Sequence, residues 1–295
     1  MDIRVLAPIG DWTGEGAVWQ DSAHAVFWVD INRFLIHRYD WHERSVRTWQ
    51  FDQPVTALGL TTREDTLVVA LASHVVLWQP GNDSQVEFCR PEPNALEVRL
   101  NDGRPDPAGN FWVGSMINNV GPQGQPLDIA RDDAGSLYRI SPDGSVTTFE
   151  SGIGISNTLC WTGDARIFYF GDTLTNTISA YDFDVASGEI SNKRVHFGGF
   201  DRGLPDGSAI DAEGYLWNAR YGGGCVVRVS PDGKVDRVVE MPAENITTCT
   251  FGGPELTTLI VTSAANGDQS SQMAGALFAV EVGVPGIAEN KFAIE

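Results

Sequence analysis

Positive charge is scarce in this 295-residue chain: 20 Lys and Arg stand against 39 Asp and Glu, a formal net charge of -19. No basic run interrupts the acidity, so the phosphate neutralisation that supports nucleic-acid binding is missing, and an anionic membrane is an equally poor partner. No stretch approaches about 18 unbroken apolar residues, the length a membrane-spanning helix needs. The opening MDIRVLAPIG lacks the apolar core of a secretory signal, so the expected compartment is the cytoplasm. Cysteine is sparse: Cys89, Cys160, Cys225 and Cys249 form no CxxC, have no His at ligand spacing and lie in apolar runs, the pattern of buried free thiols. A GxSxG elbow is absent, which removes the usual serine-esterase route. Sustained helical periodicity and Gly/Ser-rich linkers are absent too. Nothing in the sequence specifies an oligomeric state.

What the chain has is a repeat. A turn rich in Asp, Gly or Pro precedes a short aromatic or β-branched strand six times: AVFWVD around Trp28, TLVVAL around Val69, NFWVGS around Trp112, IFYFGD around Tyr169, YLWNAR around Trp217 and TLIVTS around Ile260. These anchors lie 41, 43, 57, 48 and 43 residues apart, the period of a propeller blade. Each is followed by a second strand (FLIHRYD, HVVLWQP, GSLYRIS, TISAYDFD, GCVVRVS, GALFAVEV), and third and preceding strands complete most units. The expectation is an all-β, six-bladed β-propeller with about four antiparallel strands per blade, forming one domain over residues 1–295. The sixth unit lacks an obvious fourth strand, and the N-terminal IRVLAP is expected to supply it and close the ring. Two packed sandwiches are the competing all-β arrangement, disfavoured by six units of such regularity. The recurring tryptophans read as packing between blades.

Propeller chemistry sits at the channel mouth, where the innermost strands begin. Glu15 lies 13 residues before Trp28, Asn101 lies 11 before Trp112, Asn157 lies 12 before Tyr169 and Asp206 lies 11 before Trp217. Equivalent offsets in a ring converge on one axis. Singly, each residue could be a turn residue bonding nearby backbone; jointly, two carboxylates and two amides make an all-oxygen site for one divalent cation. Calcium is the first candidate, with magnesium, manganese, zinc and iron(II) compatible. The five histidines lie away from these starts and read as structural.

The segments GEGAVW, RLNDGRPDPAGNFWVGSM, GISNTLCW with IFYFGDT, and GLPDGSAIDAEGYLW resemble the senescence marker protein, regucalcin and gluconolactonase family, from Gly14 to about Ala264. The resemblance implies a propeller sugar lactonase whose metal is held by Glu15, Asn157 and Asp206, three of the four residues the offsets select. It also implies substrate contacts from Arg99 and Asn101. One departure stands out: where regucalcin-like relatives carry an acidic residue after the GTM-like segment, this chain reads GSMINN, with Asn118 and Asn119 as amide contacts to substrate.

A mechanism follows for opening an aldono- or aldarolactone. The cation polarises the lactone carbonyl, and Asp206, beside metal and water, is the candidate general base. Arg99 offers a donor fork for substrate oxygens, with an ion pair to Glu97 as its structural alternative. Asn118 and Asn119, with Arg99 and Arg131, leave an anionic lactone open. The wide interval from Ile117 to Asp133 reads as a loop over the mouth. Two other functions share these residues: promiscuous ester or organophosphate hydrolysis, and a calcium-binding, regucalcin-like or interaction propeller without turnover.

Overall fold

Strands buried on both faces lose the usual alternation and read as continuous apolar runs. The anchor segments behave this way: Ala25–Asp30, Leu67–Leu71 and Phe111–Ile117 are buried at every position. The outermost strands, such as Ser45–Gln50, expose most of their side chains. In the computed structural model, which describes residues 2–267 and 271–294, the anchors are the second strands of six antiparallel sheets arranged as a six-bladed propeller. Among the described residues there is no α-helix, only a three-residue 3-10 turn at Asp21–Ala23. No helix there is long and apolar enough to cross a membrane.

The innermost strands are Gly14–Gln20, Val55–Thr61, Val98–Pro105, Ser156–Trp161, Leu204–Ile210 and Asn245–Gly252. Ring closure follows the sequence expectation: Ile3–Ala7 is the outer strand of the sixth blade, antiparallel to Leu277–Glu281.

Six apolar clusters match the six blade-to-blade interfaces. Tryptophans carry much of this packing. Trp49 meets Trp78 edge-on at 5.1 Å between blades 1 and 2, and Trp217 meets Phe251 at 6.1 Å between blades 5 and 6. Buried indoles also need an acceptor. Trp28, Trp112 and Trp217 donate to Asp11, Asp106 and Asp211 at 2.7, 2.7 and 2.9 Å. The second oxygens of Asp106 and Asp211 each accept two backbone N–H groups, fixing the turns that lead into those strands. All four cysteines are free, three buried and Cys89 half-buried.

The C-terminal tail was not legible beforehand. From Pro285 it crosses the end of the channel opposite the starts of the inner strands. Ile287 N–H donates to Ile210, Glu289 accepts from Thr250 at 2.6 Å, Asn290 donates to Pro105, and Lys291–Phe292 pairs in parallel with Leu60–Thr61. Phe292 is fully buried between Phe88 and Phe111.

Candidate metal and substrate site

All six innermost strands are irregular at the same height. Their pairing with the second strand shifts register between Glu15 and Val18, Val55 and Ala57, Leu100 and Gly103, Asn157 and Cys160, Pro205 and Ser208, and Ile246 and Cys249. A bulge bends a strand and re-aims its side chains. Here the bulges turn Glu15, Asn101, Asn157 and Asp206 into one cavity at the mouth. Gly16 and Thr158, directly after Glu15 and Asn157, have φ of +58° and +53°. Glycine takes that conformation freely, whereas a β-branched threonine does so only when its surroundings hold it. The buried Thr158 hydroxyl donates to the Asp206 carbonyl at 2.5 Å and shares a 2.9 Å bond with Ser208. Upstream, Asp30 accepts from the N–H groups of Trp12 and Thr13, and Asp172 from those of Gly154 and Ile155, pinning the chain just before Glu15 and Asn157.

Glu15 and Asp206 are buried with their carboxyl groups in hydrogen-bonding range of each other. Burial, reinforced by the charge of Asp102, pushes Glu15 up to about 8. Burial and then the neighbouring Glu15 raise Asp206 as well. Arg99, the cation acting on Glu15, spends its hydrogen bonds elsewhere, on Asn119 at 2.9 and 2.8 Å, on the Leu100 carbonyl at 2.9 Å and on Asn101 Oδ1 at 2.6 Å. Burial also lowers Arg99 to about 10.

The amides separate into two kinds. Asn157 Nδ2 donates to Thr173 at 2.8 Å, and Thr173 in turn donates to the Pro205 carbonyl, so Asn157 Oδ1 is left with only a 3.5 Å contact from Asn101. Asn101 Oδ1 is engaged by Arg99, and its Nδ2 donates to the Ser156 carbonyl. The oxygen set with capacity for a cation is therefore Glu15, Asp206 and Asn157 Oδ1. These hard donors, around two buried carboxylates without a direct counter-ion, fit a divalent metal. Among the described residues no group of three His, Cys, Asp or Glu could hold one without such amide help.

The cavity encloses about 360 Å³ and is also lined by Arg99, Asn101, Asn119, Thr173, Tyr221 and Asn266. Asn118 is not brought in with them: its Oδ1 accepts from Val120 N–H at 3.1 Å, and the cavity wall is Asn119. Arg99 is buried and makes no ion pair with Glu97. Arg131 pairs with Asp133 at the surface. None of the histidines lines the cavity. The segment from Ile117 to Asp133 does form part of the wall, through Pro126 and Ile129, and is strapped to blade 1 where Asn32 Nδ2 donates to the Gly124 carbonyl at 2.7 Å.

Asp102 escaped sequence reasoning because NDG reads as a turn. Its half-buried carboxylate lies near Arg104 and the backbone N–H groups of Gly103, Leu159 and Thr158, and desolvation raises it. Arg104 reaches across the channel to the Ser208 carbonyl at 2.8 Å, with Glu289 of the tail nearby. Thr173, Tyr221 and Asn266 also escaped, since nothing in their local sequence marks a channel-facing position.

Residues 13–265 match the family model described as SMP-30/Gluconolactonase/LRE-like region. The chain is 35% identical to the pentonolactonase XacC of Haloferax volcanii, covering 94% of this chain and 93% of that protein. It is 32% identical to regucalcin of Homo sapiens, covering 99% and 98%. A solved calcium-binding protein, regucalcin from Agrobacterium tumefaciens, superposes with a TM-score of 0.91 at 27% identity, covering 99% of this chain and 97% of that one.

Proposed function

The chain belongs to the SMP-30/gluconolactonase/LRE-like family, and from that premise we propose that it is a metal-dependent lactonase opening a sugar lactone to its acid. The observation that carries this reading is the convergence of buried Glu15 and Asp206 with the uncommitted Asn157 Oδ1 beside a cavity of about 360 Å³. A divalent cation held by these three residues, calcium first among the candidates, would supply Lewis acidity to the lactone carbonyl and acidity to a water.

The protein's own part in the reaction is positioning and proton transfer. Asp206 takes the proton of the attacking water. Thr173 and the Pro205 carbonyl hold the Asn157 amide, and Thr158 fixes the backbone at Asp206. Arg99, locked by Asn101 and Asn119, puts positive charge beside the site without closing on the carboxylates. The net charge of -19 favours departure of an anionic product.

The test is a pH-indicator assay over aldono- and aldarolactones, run after chelation and again with divalent metals restored. Acid release that vanishes on chelation and returns with metal is expected. Full activity after exhaustive chelation would refute the metal's role. No turnover of any lactone with metal present would favour the calcium-binding reading that the name of the Agrobacterium neighbour suggests.

A further inference from the structure

On the side of the cavity formed by blades 5 and 6, two lining residues that the metal reading leaves unused meet each other: the Tyr221 hydroxyl accepts from Asn266 Nδ2 at 2.6 Å. Tyr221 ends the second strand of blade 5 and is paired with Leu204, in the strand that carries Asp206. Asn266 follows Thr258–Ala264 of blade 6 with φ of +50°, a left-handed conformation that asparagine adopts more readily than most residues. Its N–H donates to the Trp12 carbonyl at 3.0 Å, and the Trp12 N–H is itself held by Asp30, so the segment leading into Glu15 braces the amide. With Nδ2 turned to the phenol, Asn266 Oδ1 is left to accept, and the phenol keeps its own hydrogen to donate; among the described residues neither has a further protein partner. An amide turned the other way exchanges the two roles and still presents one donor beside one acceptor. A carboxylate offers acceptors only and a methylene offers neither, whereas a hydroxyl donates and accepts through one oxygen. The pair is the complement of a hydroxyl.

Resting on the lactonase reading, we propose that Tyr221 and Asn266 are specificity-determining residues that together take one hydroxyl of the lactone. That hydroxyl accepts from the Tyr221 O–H and donates to Asn266 Oδ1, which holds the sugar on the Asp206 side of the mouth. Tyr221 is half-buried and Asn266 lies at the exposed rim, so water competes for both. The contact is that of a neutral, partly wetted hydrogen-bonded pair, about two- to tenfold in binding. Its structural alternative is a tie between blades 5 and 6 that never touches substrate and affects every lactone alike.

The test takes the best-hydrolysed lactone of the panel and each of its monodeoxy counterparts, and measures kcat/KM with metal supplied in the wild type, Tyr221→Phe and Asn266→Ala. In the wild type, removal of one particular hydroxyl should cost about threefold or more. In both variants removal of that same hydroxyl should cost little, while the other deoxy ratios stay as in the wild type. Thermal unfolding of the three proteins accompanies the kinetics, because a tie between blades lowers Tm without changing any ratio. Deoxy ratios that match the wild type at every position in either variant, or that shift at different positions in the two, overturn the proposal and leave the lactonase reading standing. If the wild type opens no lactone in the panel with metal present, both fall together.

Discussion

Removing the metal should make the protein less stable as pH rises, and Glu15→Gln should abolish much of that dependence. In the metal-free protein Glu15 is raised from the ordinary 4.5 to about 8. Between those values the folded state holds a proton that the unfolded chain has released, so the slope of unfolding free energy with pH is negative. Stability is full below about 4.5 and is lost progressively as pH climbs through 8. At about 1.36 kcal/mol per unit, the Glu15 shift corresponds to roughly 5 kcal/mol if it acts alone. Asp206 shares the same cost, so the single substitution should recover about 2–5 kcal/mol. For a chain of this size that is on the order of 5–15 °C in Tm. The assay is thermal unfolding of chelated wild type and Glu15→Gln from pH 5 to pH 9, repeated with calcium. Chelated wild type should melt below the variant at pH 8 and near it at pH 5, and calcium should raise the wild type far more than the variant. Parallel pH profiles for the two proteins, or equal protection by calcium, would refute the reasoning that these buried carboxylates await a cation.

Asp206→Asn should retain the fold by circular dichroism while losing hydrolysis by about two orders of magnitude or more, since the amide can neither take a proton nor carry charge; activity within a few fold of wild type rules out the base role. Phe292→Ala should cost about 3–5 kcal/mol in urea unfolding, because its ring is fully buried between Phe88 and Phe111; a loss below about 1 kcal/mol would mean that the tail adds little to the fold. Burial pushes the thiols of Cys89 and Cys249 up to about 12, so neither should react with a thiol reagent at pH 8 until the protein unfolds; rapid native labelling of Cys249 would contradict its burial.

The blades were legible because a strand packed on both faces must be apolar throughout, and six such runs stand out from any other periodicity. The ring closure was legible because the sixth unit was one strand short. The convergence of Glu15, Asn157 and Asp206 could be anticipated from their similar offsets of 13, 12 and 11 residues, since a repeat places similar offsets at similar heights. The division of labour between Asn101 and Asn157 could not: it depends on which amide oxygen Arg99 and Thr173 leave free. Asn118 and Asn119 are neighbours in a strand exit, and a single step along the chain decides which one faces the cavity. The tail pairs through two residues with a strand more than 200 positions earlier, too short and too distant to leave a pattern.

The tail's path has a consequence for traffic. With Ile287, Glu289 and Phe292 seated on the ends of the inner strands, the tail lies across that end of the channel. On the proposed lactonase reading, lactone and acid would then pass the opposite mouth, whose wall includes the segment that Asn32 ties down at Gly124. On that reading each acid must leave before the next lactone enters, so widening the mouth would speed a release-limited cycle even with every reacting group untouched.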